Sequence, residues 1–445
     1  MECFQLKTEV SELAHRLAHK LHSTFSALLQ SDSIDGWGTL DCKFASLTGK
    51  PHDRDLYVRP PKDGLPGSPL GSLLKLVKGA YGLREAPRLW YLRANDVLLD
   101  ARLEELQTAN SCFANRAPTT KEHFGMFVLR VDDACVSGEV PLWENALNHI
   151  RKHFTLGKEE YGTFIFLGRQ VHQTGDYRIE LHQTDYVNAF DRGYMSRERR
   201  GKSGDKLTEE EKHHYSSRAG QLAWLARETM PQLSYSVSDL HQNVETATVC
   251  YLIHAHNVLC LARQLVDTGH KLHVLHLDNE LDLGVSLTEQ NKTRLAHRDT
   301  QHIQMGMAIA HDASFMDQAG ESSQQAYAFL LATKIFVDGK AKARLLDWGS
   351  SNIHRKMKST LACDSSSAAR AVDRGSFART MIYDVERDLQ HQFEICITDA
   401  PERRAYWERI CHPLPMAIGT YCTSLYDVCH KTGSLPDERR VAFDL

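Results

Sequence analysis

Two adjacent aspartates, Asp132 and Asp133, stand between short apolar runs in VDDACVSG at 131–138. Paired carboxylates at the tip of a hairpin can hold divalent cations. Two-metal phosphoryl transfer needs such carboxylates to keep two cations about 3.5–4 Å apart. Magnesium takes one or two carboxylates and fills the rest of its shell with phosphate oxygens and water. Asp132 and Asp133 supply part of a site of this kind, and a third carboxylate must come from another strand. Asp41, in TLDCKFASLTGK, ends an apolar strand and is the natural candidate. The pair also has an ordinary reading, because aspartate is a common turn residue.

The elements that would hold these residues follow from periodicity and breakers. Residues 37–46 read as a strand entering a turn, and 56–61 as a short strand stopped by Pro60 and Pro61. Residues 73–77 form another short strand. Pro87 fits the first turn of a helix, where its missing N–H costs nothing, and the pattern carries that helix to about residue 106. Strands are expected at 112–114, 126–131 and 134–136, and a helix at 142–154. Residues 164–171 and 177–181 read as a hairpin across Thr174, Gly175 and Asp176. Residues 192–205 and 288–301 read as linkers. Thr208 with Glu211 is a capping box. Leu233, Val237, Leu240 and Val244 make one helical face, continuing toward residue 264. Strands recur at 308–311, 326–332 and 344–348, and a long helix is expected over 359–389. Residues 7–30 have helical periodicity through Leu13, Leu17, Leu21 and Leu28. This order points to α+β layers rather than regular βαβ repeats.

The chain has 445 residues, enough for two or three domains with their own cores. Basic and acidic residues number 53 and 57, a net charge of −4, so any nucleic-acid contact would rest on a local basic cleft. No apolar run approaches the length of a membrane helix, and the first residues lack a signal-peptide core. An intracellular protein, in cytoplasm or nucleus, is expected. The 11 cysteines have no CxxC spacing and read as free thiols of a reducing compartment. His254 and His256, near Cys250 and Cys260, lie two apart on a helical pattern. They point to different faces and read as ordinary helix residues.

Six segments in order resemble the reverse transcriptase of Ty1/copia-type retrotransposon polyproteins. They are DCKFASLTGK, LYVRPP, LLKLVKGAYGLREAPRLWY, VDDACVSG, FLGRQV and YSSRAGQLAWLARETMPQLSYSVSDL. An ordered set across about 200 residues is far more specific than one motif. The resemblance implies a right-hand polymerase palm with partial fingers, then a helical thumb or connection. It implies that Asp41, Asp132 and Asp133 are the catalytic metal triad for Mg²⁺. Gly82, Leu83, Arg84 and Pro87 would contact the template, and Leu167 and Gly168 would grip the primer. RNA template, DNA primer and deoxynucleoside triphosphates are the implied partners, with no membrane. Trp90 reads as a core residue.

Beyond 301 the chain resembles the family's RNase H-like α/β domain, through AIAHDASFMD, SSQQAYAFLLA, LLDWGSSNIHRKMKSTLACDSSSAARAVD and YCTSLYDVCHKTGSLPDERRVAFDL. Asp312 and Asp364 match its first two carboxylates, but Asp364 stands where the family has glutamate. Tyr421 stands where the family has its next aspartate, and a phenol with a pKa of about 10 is a poor magnesium ligand at neutral pH. Asp399 and Asp427 match no family carboxylate. A degenerate RNase H-like site is expected. In the palm, Ser46 replaces the aromatic that lies under the sugar, with Phe44 the nearest ring, and Arg130 stands before VDD.

The expected organisation is an N-terminal helical extension at 1–36, a palm with partial fingers at 37–195, a helical thumb or connection at 196–300, and an RNase H-like domain at 301–445. The expected function is RNA-directed DNA polymerase. The alternative is a catalytically inactive retroelement remnant that at most binds nucleic acid.

Overall fold

The computed structural model describes residues 38–274 and 305–386, short loop segments apart, with 416–420, 422 and 425. The expected helix at 7–30 and the expected linker at 288–301 lie outside the described residues. The chain forms two compact units. The first is Met1–Phe166 with Asp384–Cys396, and the second is Leu167–Tyr383 with Ile397–Leu445.

The first unit begins with β1 (Gly38–Cys42), a short helix α1 (Ala45–Thr48) and a ribbon of β2 (Pro51–Val58) and β3 (Leu74–Lys78). Helix α2 (Ala86–Asp100) carries Pro87 in its first turn, as expected. It ends earlier than its pattern predicts. Arg102 turns the chain at φ 66°, and residues expected to be helical become β4 (Leu103–Glu105), which pairs with β5 (Cys112–Arg116). Tertiary pairing overrides a favourable local pattern here. The unit continues through β6 (His123–Arg130), β7 (Asp133–Gly138), α3 (Val140–His153), β8 (Leu156–Tyr161) and β9 (Thr163–Phe166).

Six of these strands form one sheet in the order β4-β5-β6-β7-β1-β8, antiparallel at each pairing. Leu40, Phe113, Phe127 and Val136 pack with Trp90 and Val97 of α2 and with Trp143 and Ile150 of α3. The two helices therefore share one apolar layer with the sheet, which fixes the strands that carry the aspartates.

In the second unit β10 (Arg169–Gln173) pairs with β11 (Ile179–His182), and β11 with β12 (Leu272–Val274). The strand expected over 164–171 is broken at Leu167 and Gly168, both at positive φ. Between β11 and β12 lie α4 (Thr184–Asn188), α5 (Arg197–Gly201), α6 (Glu209–Glu228), α7 (Ser234–Gln242) and α8 (Val249–Asp267). Helix α5 occupies the stretch expected to be a linker. Ser196 caps it, and Arg199 ties it to Glu211 of α6 at 2.7 Å. The Thr208–Glu211 capping box is present in full. The Arg199 guanidinium, with burial opposing it, holds the Glu211 carboxyl down at about 2.

Tyr215, Leu222 and Leu225 of α6 meet Leu240 of α7 and Leu252 and Leu259 of α8 in one core. The Tyr215 hydroxyl donates to the Leu240 carbonyl at 2.7 Å, so its buried polar end is satisfied. Helix α8 is long and apolar enough to cross a membrane by length and composition. Its apolar residues Val249, Leu252, Ala255, Val258, Leu259 and Ala262 are buried in this core.

The unit ends in β13 (Met305–Gln318), β14 (Ser322–Thr333), β15 (Arg344–Ile353), the long helix α9 (Thr360–Glu386) and β16 (Met416–Thr420). The sheet order is β15-β14-β13-β16, with β16 parallel to β13 and the other pairs antiparallel. Gly375 lets α9 approach the sheet closely, because a Cβ there would overlap the Ile309 side chain.

Candidate active site

Asp41 is the penultimate residue of β1 and Asp133 opens β7. The two are direct partners across an antiparallel pair. Asp132 sits in the β6–β7 turn, and its carbonyl accepts from the Cys42 amide at 2.7 Å. Backbone pairing alone thus brings all three aspartates to one end of the sheet. Each is partly buried. Burial pushes the Asp133 carboxyl above the usual aspartate range, and the charges of Asp132 and Asp41 push it further. The Cys42 thiol is pushed up to about 12 by burial and then by the same three carboxylates. Among the described residues no lysine or arginine forms an ion pair with any of the three. Three hard oxygen donors without a paired cation suit Mg²⁺ in chemistry. Among the described residues no group of three or more His, Cys, Asp or Glu is already placed to hold a metal ion.

Two supports of this site were not legible as such in the sequence. Trp90, buried in the core as expected, also donates its indole N–H to the carbonyl of Val131. Val131 stands at φ 52°, a costly value for a β-branched residue, directly before the aspartate pair. Its edge-on stack with Phe154, centroids 4.9 Å apart, fixes the indole from the other side. Gly157 of β8 lies against Asp41. A Cβ there would overlap Asp41 Oδ2 and stand 3.1 Å from Lys43 Cε, so only glycine leaves the carboxylate its room. TLGKEE carries no local signal of this.

Ser46 is buried in α1, and Phe44 is exposed with φ 60°. Arg130 is exposed at the end of β6. Gly82, Leu83 and Arg84 lie between β3 and α2, and Gly82 takes φ 88°, which glycine adopts freely. Gly82, Arg84 and Pro87 are exposed, with Leu83 half-buried. In the second unit Leu167 and Gly168 form the turn that opens β10, at φ 49° and 68°.

Asp312 is exposed on β13, and Asp364 is buried on α9. Burial raises the Asp364 carboxyl. A hydrogen bond from Cys422 lowers it, and the Asp312 charge raises it again. His311, next to Asp312, is buried with neither ring nitrogen hydrogen-bonded, and burial lowers its pKa. Asp312 also borders a cavity of about 350 Å³ lined by Gln232, Tyr235, Ser314, Gln324 and Trp348. Tyr421, Asp399 and Asp427 lie outside the described residues. Cys250 and Cys260 are exposed free thiols on α8.

Residues 27–193 match the family described as reverse transcriptase (RNA-dependent DNA polymerase). Over 252 residues, 51% of the chain, the sequence is 28% identical to the retrovirus-related Pol polyprotein from transposon RE1 of Arabidopsis thaliana. The chain covers 16% of that polyprotein's length. Among solved structures it is similar to a foamy viral protease-reverse transcriptase in complex with an RNA/DNA hybrid. The TM-score is 0.41 and the identity 11%, over 93% of this chain and 48% of that one. The native prototype foamy virus protease-reverse transcriptase matches with a TM-score of 0.20 and 10% identity, over 87% of this chain and 64% of that one. The motif order, the family match and the transposon relative agree in likening residues 27–193 to the reverse transcriptase of copia-type retrotransposon polyproteins.

Proposed function

We propose that this chain carries out RNA-directed DNA synthesis at Asp41, Asp132 and Asp133. The observation that carries this reading is the β1–β7 register, which pairs Asp41 with Asp133 beside Asp132. In the reaction a primer 3′-hydroxyl attacks the α-phosphorus of a deoxynucleoside triphosphate. A new P–O bond forms, the phosphoanhydride breaks, and pyrophosphate leaves with the hydroxyl proton passing to solvent. Magnesium ions held by the three carboxylates would stabilise charge on the attacking and leaving oxygens. The protein's own part is to hold the carboxylates at the sheet end and to keep the Val131–Asp132 turn in place through Trp90. Gly82, Leu83, Arg84 and Pro87 would meet the template strand, and Leu167 and Gly168 the primer.

The part of the chain from residue 301 on reads as an RNase H-like domain. Its mixed sheet order, parallel β16 and the electrostatic coupling of Asp312 with Asp364 support this. Its hybrid-cleaving chemistry is lost in this reading, because Asp364 is a methylene shorter than the family's glutamate and Tyr421 replaces an aspartate.

One observation favours a second reading, a catalytically inactive remnant that at most binds nucleic acid: no group of three or more His, Cys, Asp or Glu among the described residues is already placed to hold a metal ion. Primer extension on poly-rA with oligo-dT and Mg²⁺ separates the two. Incorporation that disappears in Asp132→Asn is the expected result. No incorporation by a folded chain would overturn the polymerase reading.

A further inference from the structure

Arg169 and Glu228 form an ion pair at 3.3 Å with both side chains nearly withdrawn from water, at 5% and 9% exposure. Such a pair is weak evidence for stability, since desolvation offsets most of the attraction. Its place is informative. Arg169 opens β10 directly after Leu167 and Gly168, which both hold left-handed backbone. A leucine keeps that conformation only when its surroundings impose it.

Helix α6 provides those surroundings. Trp224 and Glu228 are four residues apart and share one helix face. A Cβ on Gly168 would stand 3.4 Å from Trp224 Nε1, so the indole lies directly under the turn. Glu228 holds Arg169 one helical turn further on. Beyond it, Thr229 donates to Gln183 at 2.8 Å. Gln183 lies one step past the Gln170–His182 pair, opposite Arg169. The turn is thus fastened to the end of α6 at two points, with its neighbouring strand fastened alongside. Gly168 itself remains exposed.

We infer that Arg169 is a positioning residue: the buried Arg169–Glu228 pair, with Trp224 beneath Gly168, locks the Leu167–Gly168 turn in one orientation so that its exposed backbone meets a nucleic-acid strand. A charged pair fixes where its two groups meet, which an apolar pair of equal volume does not. This deepens the proposed function and rests on it.

The test is binding of a fluorescent RNA-template/DNA-primer duplex, followed by anisotropy without nucleotide. Arg169→Met alone takes the nearer of two cations from the buried Glu228, leaving Arg227 at 4.0 Å, and can unfold the chain, so the informative variant is Arg169→Met with Glu228→Met. That variant is expected to keep its unfolding midpoint while its Kd for the duplex rises about tenfold. Where extension is measurable, KM for primer–template rises and kcat is retained. Arg169→Lys, which keeps the charge on a more flexible stem, falls between parent and double variant. Unchanged duplex affinity in the double variant would overturn the anchor alone. Failure of the parent chain to bind the duplex would overturn the anchor and the polymerase reading together.

Discussion

At the scale of single residues the site is defined by unpaired negative charge. Asp133 is half-buried, faces Asp41 across the strand pair and adjoins Asp132. Its carboxyl is raised, so the folded chain binds a proton there more tightly than the unfolded chain does. The sign follows from linkage: stability is lost as pH rises through the raised value, and the full cost is present at neutral pH. Asp133→Asn removes a charge that the fold disfavours. It is expected to stabilise the protein at neutral pH by up to about 1 kcal/mol, the scale of partly exposed charge pairs. The gain should vanish in acid, where aspartic acid is already neutral. Thermal unfolding of both proteins at pH 7 and near pH 3 checks this. An asparagine variant that melts lower at neutral pH would mean that Asp133 is held by a partner rather than opposed by its neighbours. Stabilisation with loss of chemistry is the expected trade at a functional site.

At the scale of elements, helix α2 does more than cover the sheet. Trp90 ties it to the turn between β6 and β7, and that turn carries Asp132. Trp90→Phe keeps an aromatic ring in the core and removes the indole N–H. The Val131 carbonyl then loses its donor, at a cost of about 1–3 kcal/mol for a buried acceptor. The expected result is a lower melting temperature and a fall in kcat larger than any change in KM for nucleotide, read by primer extension and thermal unfolding. An unchanged kcat in a destabilised variant would limit Trp90 to packing. The sequence marks α2 clearly, with Pro87 at its start and Trp90 on its apolar face. It does not mark the Val131 contact, which depends on two segments about forty residues apart. The same division recurs elsewhere. The Asp41–Asp133 neighbourhood was legible because each aspartate bounds an apolar strand. The early end of α2 was not, because β5 claims Leu103–Glu105. Nor was helix α5, whose charged run looks like a linker until Arg199 finds Glu211.

At the scale of the whole molecule, a net charge of −4 gives little long-range attraction for a polyanion. Under the proposed function, binding of a template–primer would therefore rest on a few local cations. In the first unit several basic side chains are already engaged: Lys50 with Asp96, Lys75 with Asp55, and Arg151 with Glu144 and Glu159. Lys43, Lys78, Arg84 and Arg88 are exposed and form no ion pair among the described residues. Arg84 and Arg88 flank the start of α2, beside Gly82 and Leu83. A side chain that neutralises one phosphate contributes about −0.7 to −0.9 to the slope of log K against log salt. Arg84→Ala is accordingly expected to weaken duplex binding and to make the slope shallower by about one contact. Arg151→Ala should leave the slope unchanged, because that guanidinium already has carboxylate partners. Titrations of a hybrid duplex at several salt concentrations measure both. Equal slopes for the parent and Arg84→Ala would remove the α2 entrance from the nucleic-acid surface and shift the electrostatic contact to other cations of the chain.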